Sequence, residues 1–133
     1  MSAEIRVPIE RETDIVTARQ KGRELAAVNG FASTDQTLIA TAISEIARNI
    51  VVYAQRGEIV LAALESRGRR GIMVVGRDDG PGISDLELAM RDGYSTTRSL
   101  GMGLPGAKRL MDEFDLSSVL GKGTTITMKK WVR

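Results

Sequence analysis

The sequence has 133 residues, 27% of them charged, and Lys+Arg exceeds Asp+Glu by 19 to 17 for a net charge of +2; that length suits one domain with its own core, and so small a margin is no polybasic surface for nucleic acid. The chain contains no His and no Cys, which excludes Ser-His-Asp and Cys-His triads, zinc sites on the usual ligands, a histidine phosphoacceptor within the chain, disulfides and thiol redox chemistry. Catalysis must then rest on carboxylates, amides, hydroxyls, Lys or Arg, and two Phe, two Tyr and one Trp are too few for a single-strand stacking platform.

Residues 1–14 lack the continuous apolar run of a targeting signal, and no stretch reads as 18 successive apolar residues, so the expectation is a soluble, cytoplasmic protein with no membrane segment. Residues 4–9 alternate, with Ile5, Val7 and Ile9 on one face and Pro8 removing a donor, the pattern of an edge strand. Residues 13–28 carry apolar positions at helical spacing and stop at Asn29-Gly30. Ser33-Thr34-Asp35-Gln36 reads as a capping box, followed by a stripe of period 3.6 through Leu38, Ile39, Ala42, Ile43, Ile46, Ala47, Ile50 and Ala54.

The period then changes. Residues 58–64 and 72–76 are largely β-branched runs joined by a basic turn over 66–71, an antiparallel hairpin. A turn-rich loop over 78–83 precedes a short helix over 84–91 and an aperiodic stretch over 93–103. A further helix is predicted from Leu104–Pro105 to Phe114, since proline is accepted in a first turn, and a second hairpin over 116–131 turns at Gly121-Lys122-Gly123. The order implies a single α+β domain over 1–133, a two-layer sandwich of a mixed β-sheet with helices on one face.

Four places could carry chemistry. Glu45 and Asn49, four apart on the second helix, share a face with Thr41 and Arg48 near it, while Ile43, Ile46 and Ile50 point elsewhere. An amide oxygen one turn from a carboxylate suits Mg-dependent phosphoryl chemistry, the amide on the metal and the carboxylate taking a proton; a solvated helix face with a Glu–Arg pair accounts for the same letters. Asp78-Asp79-Gly80-Pro81-Gly82 follows a buried strand, where an Asp can accept from an exocyclic amine and glycines admit a ligand to the backbone, although D-G and P-G are turn dipeptides in any case. Gly101-Met102-Gly103-Leu104-Pro105-Gly106 matches the letters of a dinucleotide fingerprint, but no strand precedes it and only 27 residues follow Gly106, so a Rossmann reading is rejected. Backbone N–H groups of a glycine loop at a helix start holding phosphates fit better, with Arg98 and Lys108 as nearby cations. Gly121-Lys122-Gly123-Thr124-Thr125 is a hairpin turn whose Thr could reach an adenine pocket. No Walker A sequence and no eukaryotic-type kinase motif is present.

In this order and spacing the four segments resemble the N, DxGxG, GxGL and GxGT boxes of the GHKL ATP-binding fold of gyrase, Hsp90, histidine kinases and MutL. Within it, the runs TAISEIARNI, DDGPGI, DGYSTT and GMGLPGAKRLMDEF are similar to the bacterial anti-sigma and switch-protein serine kinases, the stressosome type above all. The resemblance implies ATP and Mg²⁺ as cofactors. It implies Asn49 as Mg²⁺ ligand, Glu45 as general base toward a substrate Ser or Thr, and Asp78 reading the adenine amine with Thr124 beside it through water. Gly80 and Gly82 would leave room for the base, and residues 92–103 would form a short lid whose Gly101 and Gly103 offer N–H groups to the phosphates, with Met102 and Leu104 completing that box. Which of Arg98 and Lys108 meets the γ-phosphate stays open. The implied partners are STAS-domain substrates and a PP2C-type phosphatase, with no nucleic acid. A nucleotide-dependent anti-sigma-type binding switch and a detached histidine-kinase catalytic domain are the rival expectations; the short lid and Glu45 in a freestanding chain weigh against the second.

Overall fold

The computed structural model describes residues 4–80 and 103–133. Five strands form one sheet: β1 (Ile5–Ile9), β2 (Gly57–Ser66), β3 (Arg69–Asp78), β4 (Glu113–Val119) and β5 (Gly123–Trp131), in the spatial order β1-β2-β3-β5-β4. Every neighbouring pair among the described residues is antiparallel, whereas the sequence suggested a mixed sheet. The reason is topological. The connection after β3 brings β4 back in the direction of β3, but β5 lies between the two, so the co-directional strands never touch.

Helices α1 (Glu12–Val28), α2 (Ser33–Asn49) and α3 (Gly103–Leu110) supply the second layer. Alternation assigns Ile59, Leu61, Ile72, Val74, Ile126 and Met128 to the sheet face beneath the helices, where they meet Ile39, Ile43 and Ile46 of α2. All of these are at most 3% exposed. The edge position expected for β1 is found, with Pro8 opposite Glu58. The expected helix over 84–91 and Gly82, Arg98, Gly101 and Met102 lie outside the described residues.

Local boundaries differ from the sequence reading in four places. Ser33 is not the cap of α2. Phe31 is buried, Ala32 takes the extended cap conformation, and the Gln36 amide donates to the Phe31 carbonyl at 2.8 Å, so the helix starts one residue earlier than a Ser33 cap allows. The first hairpin closes through Arg67-Gly68 alone, with φ of 53° and 76°, the signs of a type I′ turn; Arg69 and Arg70 are strand residues. Asp78 is likewise the last residue of β3, paired with Gly57 and Thr124, and not the first of a loop. Finally, α3 ends at Leu110 rather than Phe114. The Lys130 ammonium donates to the Leu110 carbonyl at 2.8 Å, and the Asp112 N–H donates to Lys129 O at 2.9 Å, which turns the chain into β4.

After Asn49 the helix widens into a π-helical turn over Ile50–Ala54, closed by the Gln55 N–H on the Ile50 carbonyl five residues back at 2.8 Å. The continuous run Ser33–Ala54 is 22 residues long with a mean hydropathy of 1.2 in its most apolar window, enough by composition to cross a membrane. Half of that window is buried inside the domain, and the run is the central core helix lying on the sheet.

Candidate active site

Two layers meet at one end of the sheet, and most of the described candidates converge there. On the sheet, the register places Gly57, Asp78, Thr124 and Ser118 in one row across four strands, all directed to the helix side. The face follows from neighbours: a Cβ on Gly76, two residues before Asp78, would meet the Ile46 side chain at 3.1 Å, and one on Gly57 would meet Ile50 at 2.9 Å. Thr124 is buried, and its hydroxyl is 3.0 Å from that of Ser118, which itself donates to the Gly123 carbonyl at 3.2 Å. Ser118 escaped the sequence reading because a Ser in an alternating strand looks like any solvated position; only the cross-strand register puts it beside Thr124.

Asp78 is half-buried at the strand end, and its Oδ1 accepts the Gly80 N–H at 2.9 Å. That bond is a local Asx-type turn, and it leaves Oδ2 uncommitted by any described residue. The turn carries Gly80 under the π-helical segment, where a Cβ would stand 2.6 Å from the Ala54 Cβ. Gly80 is therefore required by the approach of the loop to the helix, a packing reason distinct from the ligand clearance expected of it. π-Helical turns inside α-helices occur often at functional sites, and this one follows directly on Asn49.

On the helix layer, Glu45 is only 7% exposed. The solvated-face alternative is thereby removed for Glu45, although the expected Glu–Arg pair exists: Arg48 Nη1 donates to Glu45 Oε1 at 3.3 Å. The other oxygen, Oε2, accepts the backbone N–H of Gly103, the first residue of α3, at 2.7 Å. Asn49 lies one turn on and is half-buried, its side chain unbonded among the described residues. Leu104 and Ala107 are buried in the core, which seats α3 against α2. Gly103 holds φ at 70°, a conformation glycine adopts without strain. Lys108 lies on an exposed position of α3 a turn beyond Gly103.

The arrangement divides the chemistry. The Asp78–Thr124–Ser118 row offers a carboxylate and hydroxyls to a flat polar ligand edge. The first turn of α3 offers backbone donors to an anion. Asn49 and Glu45 lie on the helix between them. No group of three carboxylate, His or Cys ligands among the described residues could hold a metal unaided. A metal here would lean on the Asn49 amide oxygen and on ligand phosphates, the manner in which Mg²⁺ is usually held.

Comparison with known proteins shows the family. The family described as histidine kinase-like ATPase domain matches residues 9–130. The serine/threonine-protein kinase RsbT of Bacillus subtilis is 53% identical over 127 residues, 96% of each chain. An anti-sigma F factor of Thermoanaerobacter is 34% identical over 100 residues, 71% of this chain and 68% of that one. Among solved structures, the RsbU and RsbW domains of Rv1364c from Mycobacterium tuberculosis superpose with a TM-score of 0.64 at 24% identity, covering 98% of this chain and 32% of that one. The mycobacterial sensor histidine kinase MprB superposes at 0.57 and 12% identity, over 100% of this chain and 99% of that one, a likeness of fold alone.

Proposed function

The chain belongs to the histidine kinase-like ATPase family, and from that premise we propose that it is a cytoplasmic serine/threonine protein kinase of a stressosome-type stress pathway. It uses Mg-ATP and phosphorylates STAS-domain partners. The observation that carries the reading is Glu45: a carboxylate buried on α2, one turn from Asn49 and within hydrogen-bond reach of the start of α3.

In this reading Asp78 accepts from the adenine amine while Thr124, backed by Ser118, holds the water between them. The glycine segment ending at Gly103 donates N–H groups to the phosphates, and Lys108 or Arg98 adds a cation. Asn49 holds the Mg²⁺, which when bound neutralises phosphate charge. Glu45 takes the proton from the partner's hydroxyl as that oxygen attacks. Positioning and charge neutralisation do most of the work in such transfers, and a general base contributes about 10²–10⁴-fold. With no His in the chain, phosphate passes from ATP to the partner without a histidine intermediate on this molecule.

The test is phosphoryl transfer from labelled ATP to a purified STAS-domain protein. The expected result is acid-stable phosphate on Ser or Thr, reduced about 100-fold or more by Glu45→Ala. Absence of transfer, or equal transfer by wild type and Glu45→Ala, overturns the reading. The 34% identity to anti-sigma F factors favours a second reading: an anti-sigma-type, nucleotide-dependent binding switch with little kinase activity. A pull-down with a sigma factor, a STAS-domain protein and a PP2C-type phosphatase separates the two: capture of the sigma factor without phosphoryl transfer favours the switch, whereas phosphorylation of the STAS-domain protein and activation of the phosphatase belong to the kinase reading.

A further inference from the structure

The 2.7 Å bond between Glu45 Oε2 and the Gly103 N–H joins the base to a donor of the phosphate-binding segment. We infer that this amide is an exchange point: without nucleotide Glu45 occupies it as an internal anion, and nucleotide phosphate displaces the carboxylate, so that binding and release of the base are one event. The inference rests on the function proposed above and adds a coupling to it.

Three observations carry it. Glu45 is 7% exposed, so its carboxylate is no surface group that happens to drift near a helix end. It lies 58 residues from Gly103 in sequence, so the contact is made by the packing of α2 on α3 and not by a local turn. Donors at this helix start are also few. Pro105, the third residue of α3, has no N–H to give, which leaves Gly103, Leu104 and Gly106 in the first turn.

One N–H cannot serve a carboxylate and a phosphate oxygen together, because two anions at hydrogen-bond distance from the same donor repel each other strongly when water is excluded. While it is held, Oε2 is aimed at the backbone and not toward an incoming hydroxyl. Displacement frees that oxygen only when phosphate is in place. Coupling of this kind is reciprocal: whatever phosphate binding costs the Glu45–Gly103 bond, that bond costs phosphate binding.

The experiment is calorimetric titration of the full chain with a non-hydrolysable ATP analogue plus Mg²⁺, and separately with adenosine. It compares wild type, Glu45→Ala and Glu45→Asp, with amide NMR of Gly103 in each nucleotide-free protein. Aspartate keeps the charge but is one methylene short of the amide. The expected result is that both variants bind the analogue about tenfold more tightly than wild type, as loss of one charge-assisted competitor bond implies. Adenosine, which lacks phosphates, binds all three alike, and the Gly103 amide resonance moves upfield in both variants. Unchanged or weaker analogue affinity in both variants overturns the inference. So does tightening by Glu45→Ala alone, which marks plain charge repulsion, or a Gly103 resonance identical in all three proteins. If wild type binds neither ligand, the ATP-dependent function itself falls, an outcome distinct from equal binding by all three.

Discussion

Gly123 lies directly against the backbone of Asp78: a Cβ on Gly123 would stand 2.0 Å from the Asp78 carbonyl oxygen and 2.9 Å from the Asp79 Cα. The same glycine holds φ at +118°. Both its shape and its conformation are thus fixed by the strand end that carries the Asp78 carboxylate. Gly123→Ala is expected to lower stability by about 2–4 kcal/mol, combining backbone strain with overpacking, read as a fall in the denaturant midpoint. Gly121 is the control. It also has positive φ, at 78°, but nothing lies within 4 Å, so Gly121→Asn costs about 1 kcal/mol or less. Equal losses at the two positions would show that conformation alone matters at this turn.

Asp78→Asn separates ligand reading from folding. An Asn Oδ1 can still accept the Gly80 N–H, so the turn onto Ala54 survives. Its other atom becomes a donor and opposes an adenine amine. Affinity for adenine nucleotide is expected to drop about 10- to 100-fold, with the thermal midpoint nearly unchanged. Ser118→Ala acts more weakly, by loosening Thr124. A variant Asp78→Asn that binds as wild type sinks the assignment of this row to the base.

Lys130 is 7% exposed and its ammonium donates to the last carbonyl of α3. Met matches its shape but leaves Leu110 O without that donor and removes a cation from a helix C-terminus. Lys130→Met should destabilise by about 1–3 kcal/mol, measured by urea unfolding. A neutral outcome would mean that water replaces the ammonium without loss.

Asp14 gives the pH dependence. Its carboxylate accepts the Glu10 and Arg11 N–H groups at 2.9 and 3.1 Å, and these bonds, with the Arg11 charge nearby, hold it below the ordinary carboxylate range. A depressed folded value stabilises above the unfolded value, near pH 4, and is lost as pH falls through the folded one. Wild type should therefore exceed Asp14→Asn in stability at neutral pH, with the gap closing below about pH 4. The check is thermal unfolding of both proteins across that range; a gap constant with pH would reject it.

Much of this molecule is legible in its letters because the periods of its core are long and uninterrupted. The stripe from Ile39 to Ala54 and the β-branched runs around Ile59 and Ile72 announce their elements without help from tertiary contacts. Boundaries were harder wherever a distant residue sets them. The end of α3 depends on Lys130, twenty positions on, and the start of α2 on the burial of Phe31. The Glu45–Asn49 pair could be placed on one face from spacing, but burial of Glu45 arises from α3 packing beside it, which no local pattern records. Ser118 became visible only through register. Gly22 is a similar case: within α1 it looks like a helix weakness, yet a Cβ there would stand 2.1 Å from Ile43 Cδ1, so it sets how closely α1 meets α2.

The strand order has a consequence for how the protein is made. β5 lies between β3 and β4 and carries Thr124, so neither the five-stranded sheet nor the row of Gly57, Asp78, Thr124 and Ser118 is complete until residue 131 has been synthesised and threaded home. Until then β3 has an open edge and β4 has no strand partner among the described residues. The row at the end of the sheet is therefore among the last features of the fold to close, because it waits on the strand that lies latest in the chain order.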